Sequence, residues 1–174
     1  MADLRETFLY FAYGSNMLTG RLSARTPSAV PLATAYAEGY RLTFDKVSTD
    51  GSGKCDIEAT GNPADRVWGV LFRIATAEAA DLDDAEGVGH GYRKGELEVM
   101  AATARTRATA YFATEKDPKR LRYHWYKAFV VAGATEHALP PEYIASLKNV
   151  ASLQDPDASR RMKNDALLTR ATKH

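Results

Sequence analysis

The chain has 174 residues, enough for one domain with a sizeable core, and 45% of them are hydrophobic against 26% charged. A net charge of +1 gives no basic field for nucleic acid or an anionic membrane, and no apolar run approaches the roughly 18 residues needed to span a bilayer. Cys55 is the sole cysteine, which excludes an intramolecular disulfide and suits a reducing, cytoplasmic setting.

The segment Met1–Glu6 carries acids and no long apolar stretch, so it does not read as a signal peptide. Phe8-Leu9-Tyr10-Phe11-Ala12-Tyr13 then forms an apolar, aromatic run suited to a pleated sheet, broken by Gly14. Ser15 and Asn16 have the chemistry of helix caps, and Met17, Leu18, Arg21 and Leu22 fall near one face of a short helix. A strand passing through a glycine turn into a helix start aims several backbone N–H groups one way. Such groups can hold a carboxylate or a developing oxyanion; an ordinary capped turn is the plainer alternative.

Residues 29–36 and 40–44 read as strands, and Tyr40, Leu42 and Phe44 alternate with polar residues as on a sheet with one buried face. Residues 45–54 are rich in Ser, Asp and Gly and read as a mobile loop, with Cys55 incidental beside it. A short strand follows over 56–60. The nearly continuous apolar run 67–74 predicts a central strand in which Gly69 marks a close backbone approach or a bulge.

Thr76 as N-cap and Gly87 as C-terminal stop bracket a helix on which Ala79, Leu82 and Glu86 share a stripe, while Asp81 and Asp84 point to solvent. Glu86 is the odd member, a carboxylate closing an inward face. The negative end of the helix dipole and desolvation both disfavour its ionised form there, as a general base that later returns its proton requires. A last-turn Glu reaching out to water is the competing reading.

Gly87-Val88-Gly89-His90-Gly91 follows a helix and precedes a strand, the reverse of a phosphate loop, and reads as a flexible loop beside a site. Residues 92–100 and 106–114 predict a hairpin joined near Thr103. Asp117-Pro118 starts a turn, a helix with a buried aromatic face is expected over 119–131, and Leu139-Pro140-Pro141-Glu142 opens another through Leu147. A peripheral helix over 159–168 precedes a fraying end. His90, His124, His137 and His174 lack metal-ligand spacing, so no metal or other cofactor is expected, and Tyr13-Gly14-Ser15-Asn16 lacks the frame of a serine nucleophile. Tyr92, Tyr111 and Tyr126 are candidate hydrogen-bond donors to a ligand.

The runs 8–16, Val67-Trp68-Gly69-Val70, Leu82-Asp83-Asp84-Ala85-Glu86-Gly87-Val88, Tyr126-Lys127 and Gly133-Ala134 with Leu139-Pro140-Pro141-Glu142-Tyr143 together resemble the γ-glutamylcyclotransferases, over residues 7 to 150 in unbroken order. The resemblance implies an α+β fold, a mixed-sheet barrel with flanking helices in a single domain over 1–174, in which 151–174 is peripheral. It implies conversion of γ-glutamyl amino acids to 5-oxoproline and a free amino acid, with Glu86 as acid/base. It further implies that Tyr10, Phe11, Ala12, Tyr13, Gly14 and Ser15 form a substrate-binding loop and that Tyr126 contacts substrate. The loop before Tyr92 is one residue shorter than the family form. A homodimer is a family expectation. The alternatives are the same chemistry on glutathione or a γ-glutamylamine, or a non-catalytic protein that binds a small acid.

Overall fold

In the computed structural model, described over residues 6–173, the elements in chain order are β1 (Thr7–Ala12), α1 (Thr19–Ser23), β2 (Val30–Glu38), β3 (Tyr40–Val47), β4 (Gly53–Ala59), β5 (Arg66–Ala75), α2 (Ala79–Glu86), β6 (Tyr92–Ala101), β7 (Ala104–Ala113), β8 (Arg122–Tyr123), α3 (His124–Glu136), α4 (Pro141–Asn149), β9 (Ser152–Leu153) and α5 (Ala158–Ala171). Five strands close into a barrel in the order β1-β5-β2-β6-β7, and only the β7–β1 seam is parallel, through Tyr10 and Thr109. The Met1–Arg5 part of the acidic leading segment and His174 lie outside the described residues.

The most apolar sequence forms the middle of this sheet. β5 lies between β1 and β2, and Val67, Val70, Phe72 and Ile74 are fully buried, as the unbroken hydrophobic run demands of a strand covered on both faces. Gly69 is where β1 comes closest: a Cβ there would sit 2.3 Å from the Ala12 carbonyl oxygen and 2.7 Å from the Phe11 ring. Phe11 therefore closes over Gly69 inside the core.

β1 leaves the barrel at Gly14 into a single 3₁₀ turn, Ser15–Met17, and then α1. Neither Ser15 nor Asn16 caps through its side chain, contrary to the sequence reading; Gly14 occupies the cap position. Met17, Leu18 and Leu22 are buried against α3, whose Gly133 lets the backbone come so near that a Cβ would lie 2.5 Å from the Leu18 nitrogen. The Thr19 N–H donates to Glu136 Oε2 at 2.9 Å across the same contact. The turn is thus clamped from outside rather than by its own caps.

Three further readings are corrected. The expected mobile loop at 45–54 is shorter than read, because β3 runs to Val47 and β4 begins at Gly53, and Asp50 tightens the turn left between them by accepting from the N–H and hydroxyl of Ser52 and from Lys54 Nζ. The helix expected over 119–131 begins at His124 and continues to Glu136, since Arg122 and Tyr123 are drawn into a parallel pairing with Ser152 and Leu153. Thr76 opens a 3₁₀ turn capped by Ala75 and is not the cap of α2, whereas Gly87 ends that helix in the left-handed conformation as anticipated (φ 67°). The hairpin turns at Ala102-Thr103, as read. α5 spans more than the expected 159–168, and its Ala171 packs against Gly20 of α1.

β3 and β4 form a separate ribbon lying against the barrel. Backbone bonds from Val47 N to Glu115 O and from Gly53 N to Leu121 O fix it, as does Asp56, whose carboxylate accepts from Ala113 N at 2.9 Å and from Lys116 Nζ at 2.9 Å.

Candidate active site

A cavity of about 190 Å³ opens between the end of β1, α1, the end of α2, the ribbon and the first turn of α3. Tyr10, Tyr13, Gly14, Ser15, Tyr92, Tyr111, Tyr126 and Glu86 all line it, so residues spread over more than a hundred positions of sequence converge. Phe11 and Ala12 do not; their side chains lie in the barrel core.

Glu86 is the last residue of α2, and its side chain is only 15% accessible. Leu82, one turn earlier, is fully buried and pulls that face inward, while Asp81 and Asp84 are exposed. One carboxylate oxygen, Oε1, accepts from Asn16 Nδ2 and lies 3.5 Å from the Arg25 guanidinium. Among the described residues nothing bonds to Oε2. Burial raises the Glu86 pKa above the ordinary carboxylate value against the opposing pull of Arg25, Arg21, Asn16 and Lys46. The carboxylate is thus held by one oxygen and free at the other.

Asn16, read from sequence as a cap, is the hub of this arrangement. Its amide nitrogen also donates to the Tyr10 hydroxyl at 3.1 Å, and its carbonyl accepts from Arg25 at 2.9 Å. The Asn16 side chain is pinned on both ends and 3% exposed, so it orients Glu86 instead of a helix. Arg21, read only as part of a helical face, donates to Ser15 Oγ at 3.2 Å and stacks 4.2 Å from the Phe129 ring centre. Burial and its neighbour Arg25 lower the Arg21 pKa to about 10. The Arg21 and Arg25 spacing of four residues was the available signal that both guanidinium groups would face one way.

The tyrosine hydroxyls divide into two sets. Tyr92 donates to the Cys55 carbonyl at 2.6 Å, Tyr111 to Asp83 Oδ1 at 2.6 Å, and Tyr13 to the Tyr111 carbonyl. Their protons are committed inside the protein. Tyr10 and Tyr126 accept instead, from Asn16 and from the Cys55 N–H at 2.9 Å, and among the described residues neither hydroxyl donates to an oxygen or nitrogen. Cys55 is therefore not incidental: its backbone positions two tyrosines, while burial pushes its thiol up to about 12 and leaves it inert.

Gly14 is where the two sides of the cavity meet, since a Cβ there would lie 3.1 Å from Cys55 Cβ and 3.3 Å from the Tyr126 hydroxyl. The N–H groups of Ser15 and Asn16 open the 3₁₀ turn and have no acceptor among the described residues. Lys46 and Lys54 of the ribbon add positive charge to the rim. The cavity can accommodate an anionic ligand while presenting one buried carboxylate to it.

Residues 66–147 match the AIG2-like family. The γ-glutamylcyclotransferase of Mus musculus is 36% identical over 156 residues, covering 83% of this chain and 79% of that protein. That of Homo sapiens is 33% identical over 160 residues with the same coverage. A solved γ-glutamyl cyclotransferase structure superposes with a TM-score of 0.85 at 30% identity, over 95% of this chain and 99% of the other. A shared barrel at that coverage, together with identity at this level over most of both sequences, leads to one assignment: the chain belongs to the γ-glutamylcyclotransferase family.

Proposed function

We propose that this protein cyclises γ-glutamyl amino acids to 5-oxoproline and releases the free amino acid, with Glu86 moving the proton. The observation that carries the reading is the half-fastened carboxylate: Oε1 bound to Asn16 and close to Arg25, Oε2 without a partner among the described residues. The substrate's α-ammonium gives a proton to Glu86, and the freed amine attacks its own γ-carbonyl carbon. A C–N bond forms in a five-membered ring as the bond to the leaving nitrogen breaks; Glu86 returns its proton to that nitrogen, and the second proton shed by the ring nitrogen follows, so the lactam keeps one N–H and the amino acid departs as an ammonium. A carboxylate with a raised pKa suits both halves of this exchange.

Both reactants belong to one molecule, so the protein's task is to hold the folded-back conformer, which is worth an effective molarity of order 10⁵–10⁸ M. The free N–H groups at Ser15 and Asn16 would take the glutamyl carboxylate or the developing oxyanion, and Tyr10 and Tyr126 have protons to offer nearby. Tyr13, Tyr92 and Tyr111 would shape the cavity through bonds already made within the protein. Nothing in this scheme calls on a metal or a nucleotide. The single, buried Cys55 fits a cytoplasmic setting, and the homodimer expected of the family is checked by light scattering.

The test is 5-oxoproline release from γ-glutamyl-alanine by wild type and Glu86→Gln. The variant should fold normally and lose at least ~10² in rate; near-normal turnover would remove Glu86 from the mechanism. Glutathione and a γ-glutamylamine, run alongside, decide the donor.

A further inference from the structure

Four cationic side chains reach the cavity, and three of them have partners within the protein. Arg25 is held by Asn16 and Glu86, Arg21 by Ser15 and the Phe129 ring, and Lys54 by Asp50 at 2.8 Å. Lys46 differs. Among the described residues it has neither a carboxylate nor a hydrogen-bond acceptor. Its ammonium lies 4.7 Å from the centre of the Tyr92 ring and against Gly91, where a Cβ would fall 2.7 Å from Nζ.

That placement is unfavourable for the protein alone. Lys46 and Lys54 are direct partners in the ribbon register, and like charges opposite one another on an antiparallel pair destabilise it. Asp50 forms its close ion pair with Lys54, and Lys46 feels the charges of Glu86 and Asp50 only from a distance, without contact to either. Partial burial of Lys46 adds a desolvation cost. A ligand carboxylate would relieve both.

We propose that Lys46 binds the carboxylate of the leaving amino acid and so sets a preference for γ-glutamyl amino acids over γ-glutamylamines. The inference rests on the cyclotransferase reading above and identifies which group of the substrate meets the ribbon. A γ-glutamyl amino acid carries two carboxylates. The glutamyl carboxylate sits beside the reacting amine, so it stays with the amine near Glu86 and the Gly14–Asn16 turn. The other lies beyond the bond that breaks, on the leaving residue, and needs a cation away from that turn. The ribbon supplies one that is uncommitted.

Three donors separate this role from a structural one: γ-glutamyl-alanine, γ-glutamyl-alaninamide, which lacks the leaving carboxylate, and the analogue whose glutamyl carboxylate is a carboxamide. Release of alanine or alaninamide is measured for wild type, Lys46→Met and Lys46→Arg. The Met variant should lose about 10- to 100-fold in kcat/KM on γ-glutamyl-alanine, chiefly through KM. The wild-type penalty for removing the leaving carboxylate should vanish in it, while the penalty for removing the glutamyl carboxylate persists. The Arg variant should retain most of the preference for alanine over alaninamide. Equal losses on alanine and alaninamide, or no loss, overturn the proposal. So does disappearance of the glutamyl carboxylate penalty, which would put Lys46 at the other end of the substrate. If wild type consumes none of the three donors, the cyclotransferase reading falls first and this inference with it.

Discussion

The cavity has two walls of different origin. One is built almost wholly from a single passage of chain, Tyr10 through Arg25, and is completed by Glu86 at the end of α2. The other is assembled from the β3–β4 ribbon and the first turn of α3, which contribute Lys46, Lys54, Cys55, Trp125 and Tyr126. The first wall carries Glu86, the proposed acid/base, and the Asn16 and Arg25 side chains that hold it. The second carries cations and fixes its tyrosine through a backbone bond from Cys55 to Tyr126. In the proposed reading, chemistry falls to the wall that carries Glu86, which α3 clamps from outside through Gly133 and Glu136, and recognition falls to the wall of the ribbon.

The division can be broken from the second wall inward. After the ~10² loss expected for Glu86→Gln, the next largest effect belongs to Asp56, which fastens the ribbon to the barrel through Ala113 N and Lys116 Nζ. Asp56→Ala leaves the half-buried Ala113 N–H without its acceptor and Lys116 with only the longer Asp45 pair at 3.8 Å, and should cost about 1–3 kcal/mol in thermal or denaturant unfolding. Activity on γ-glutamyl-alanine should fall further than that of a first-wall variant of equal stability. Unchanged stability would mean that the ribbon is held elsewhere.

Gly14→Ala tests the line where the walls touch. Its methyl group would meet Cys55 Cβ at 3.1 Å and the Tyr126 hydroxyl at 3.3 Å, tight enough to push the ribbon and α3 away from the turn. We expect about a tenfold loss in kcat/KM with little change in melting temperature, because a misplacement well under 1 Å at a reacting centre is felt in rate before stability. A large fall in melting temperature with retained turnover would contradict this.

Arg25→Gln sharpens the first wall alone. Arg25 opposes the burial that raises the Glu86 pKa, so its removal moves that pKa higher still. Since Glu86 must be ionised to accept the ammonium proton, activity rises with pH through its pKa, and the acid limb of the kcat/KM profile should shift to higher pH in the variant. A limb that stays in place would show that another group titrates there.

What could be read in advance follows the same line. The central strand 67–74, the close approach at Gly69, the Gly87 stop and the inward Glu86 all depend on spacing within a few residues, and each was legible. The barrel itself entered through family resemblance. Asn16 was misread because Asn is a good cap by composition; only the arrival of Glu86 and Arg25 from elsewhere shows its side chain turned to the cavity. Lys46 and Lys54 were hidden in a Ser- and Gly-rich stretch that becomes strand through pairing and Asp50, and the start of α3 was misplaced by a pairing with residues about thirty positions on. Contacts that distant leave no periodicity in the sequence.

The smallest expected effect lies outside both walls and separates stability from catalysis. Ala102, in the β6–β7 turn, and Ala138, just past α3, have φ of 53° and 50°, left-handed values at which an alanine Cβ crowds the following carbonyl. Glycine carries no such penalty, though it gives the unfolded chain more freedom to lose on folding. The steric gain should exceed the entropic cost, so Ala102→Gly and Ala138→Gly should each raise stability by about 0.5–1 kcal/mol. Neither residue lines the cavity, so kcat and KM on γ-glutamyl-alanine should stay at wild-type values. A glycine that stabilises yet alters KM would show that the walls sense strain in the surrounding scaffold, and the separation drawn between them would fail.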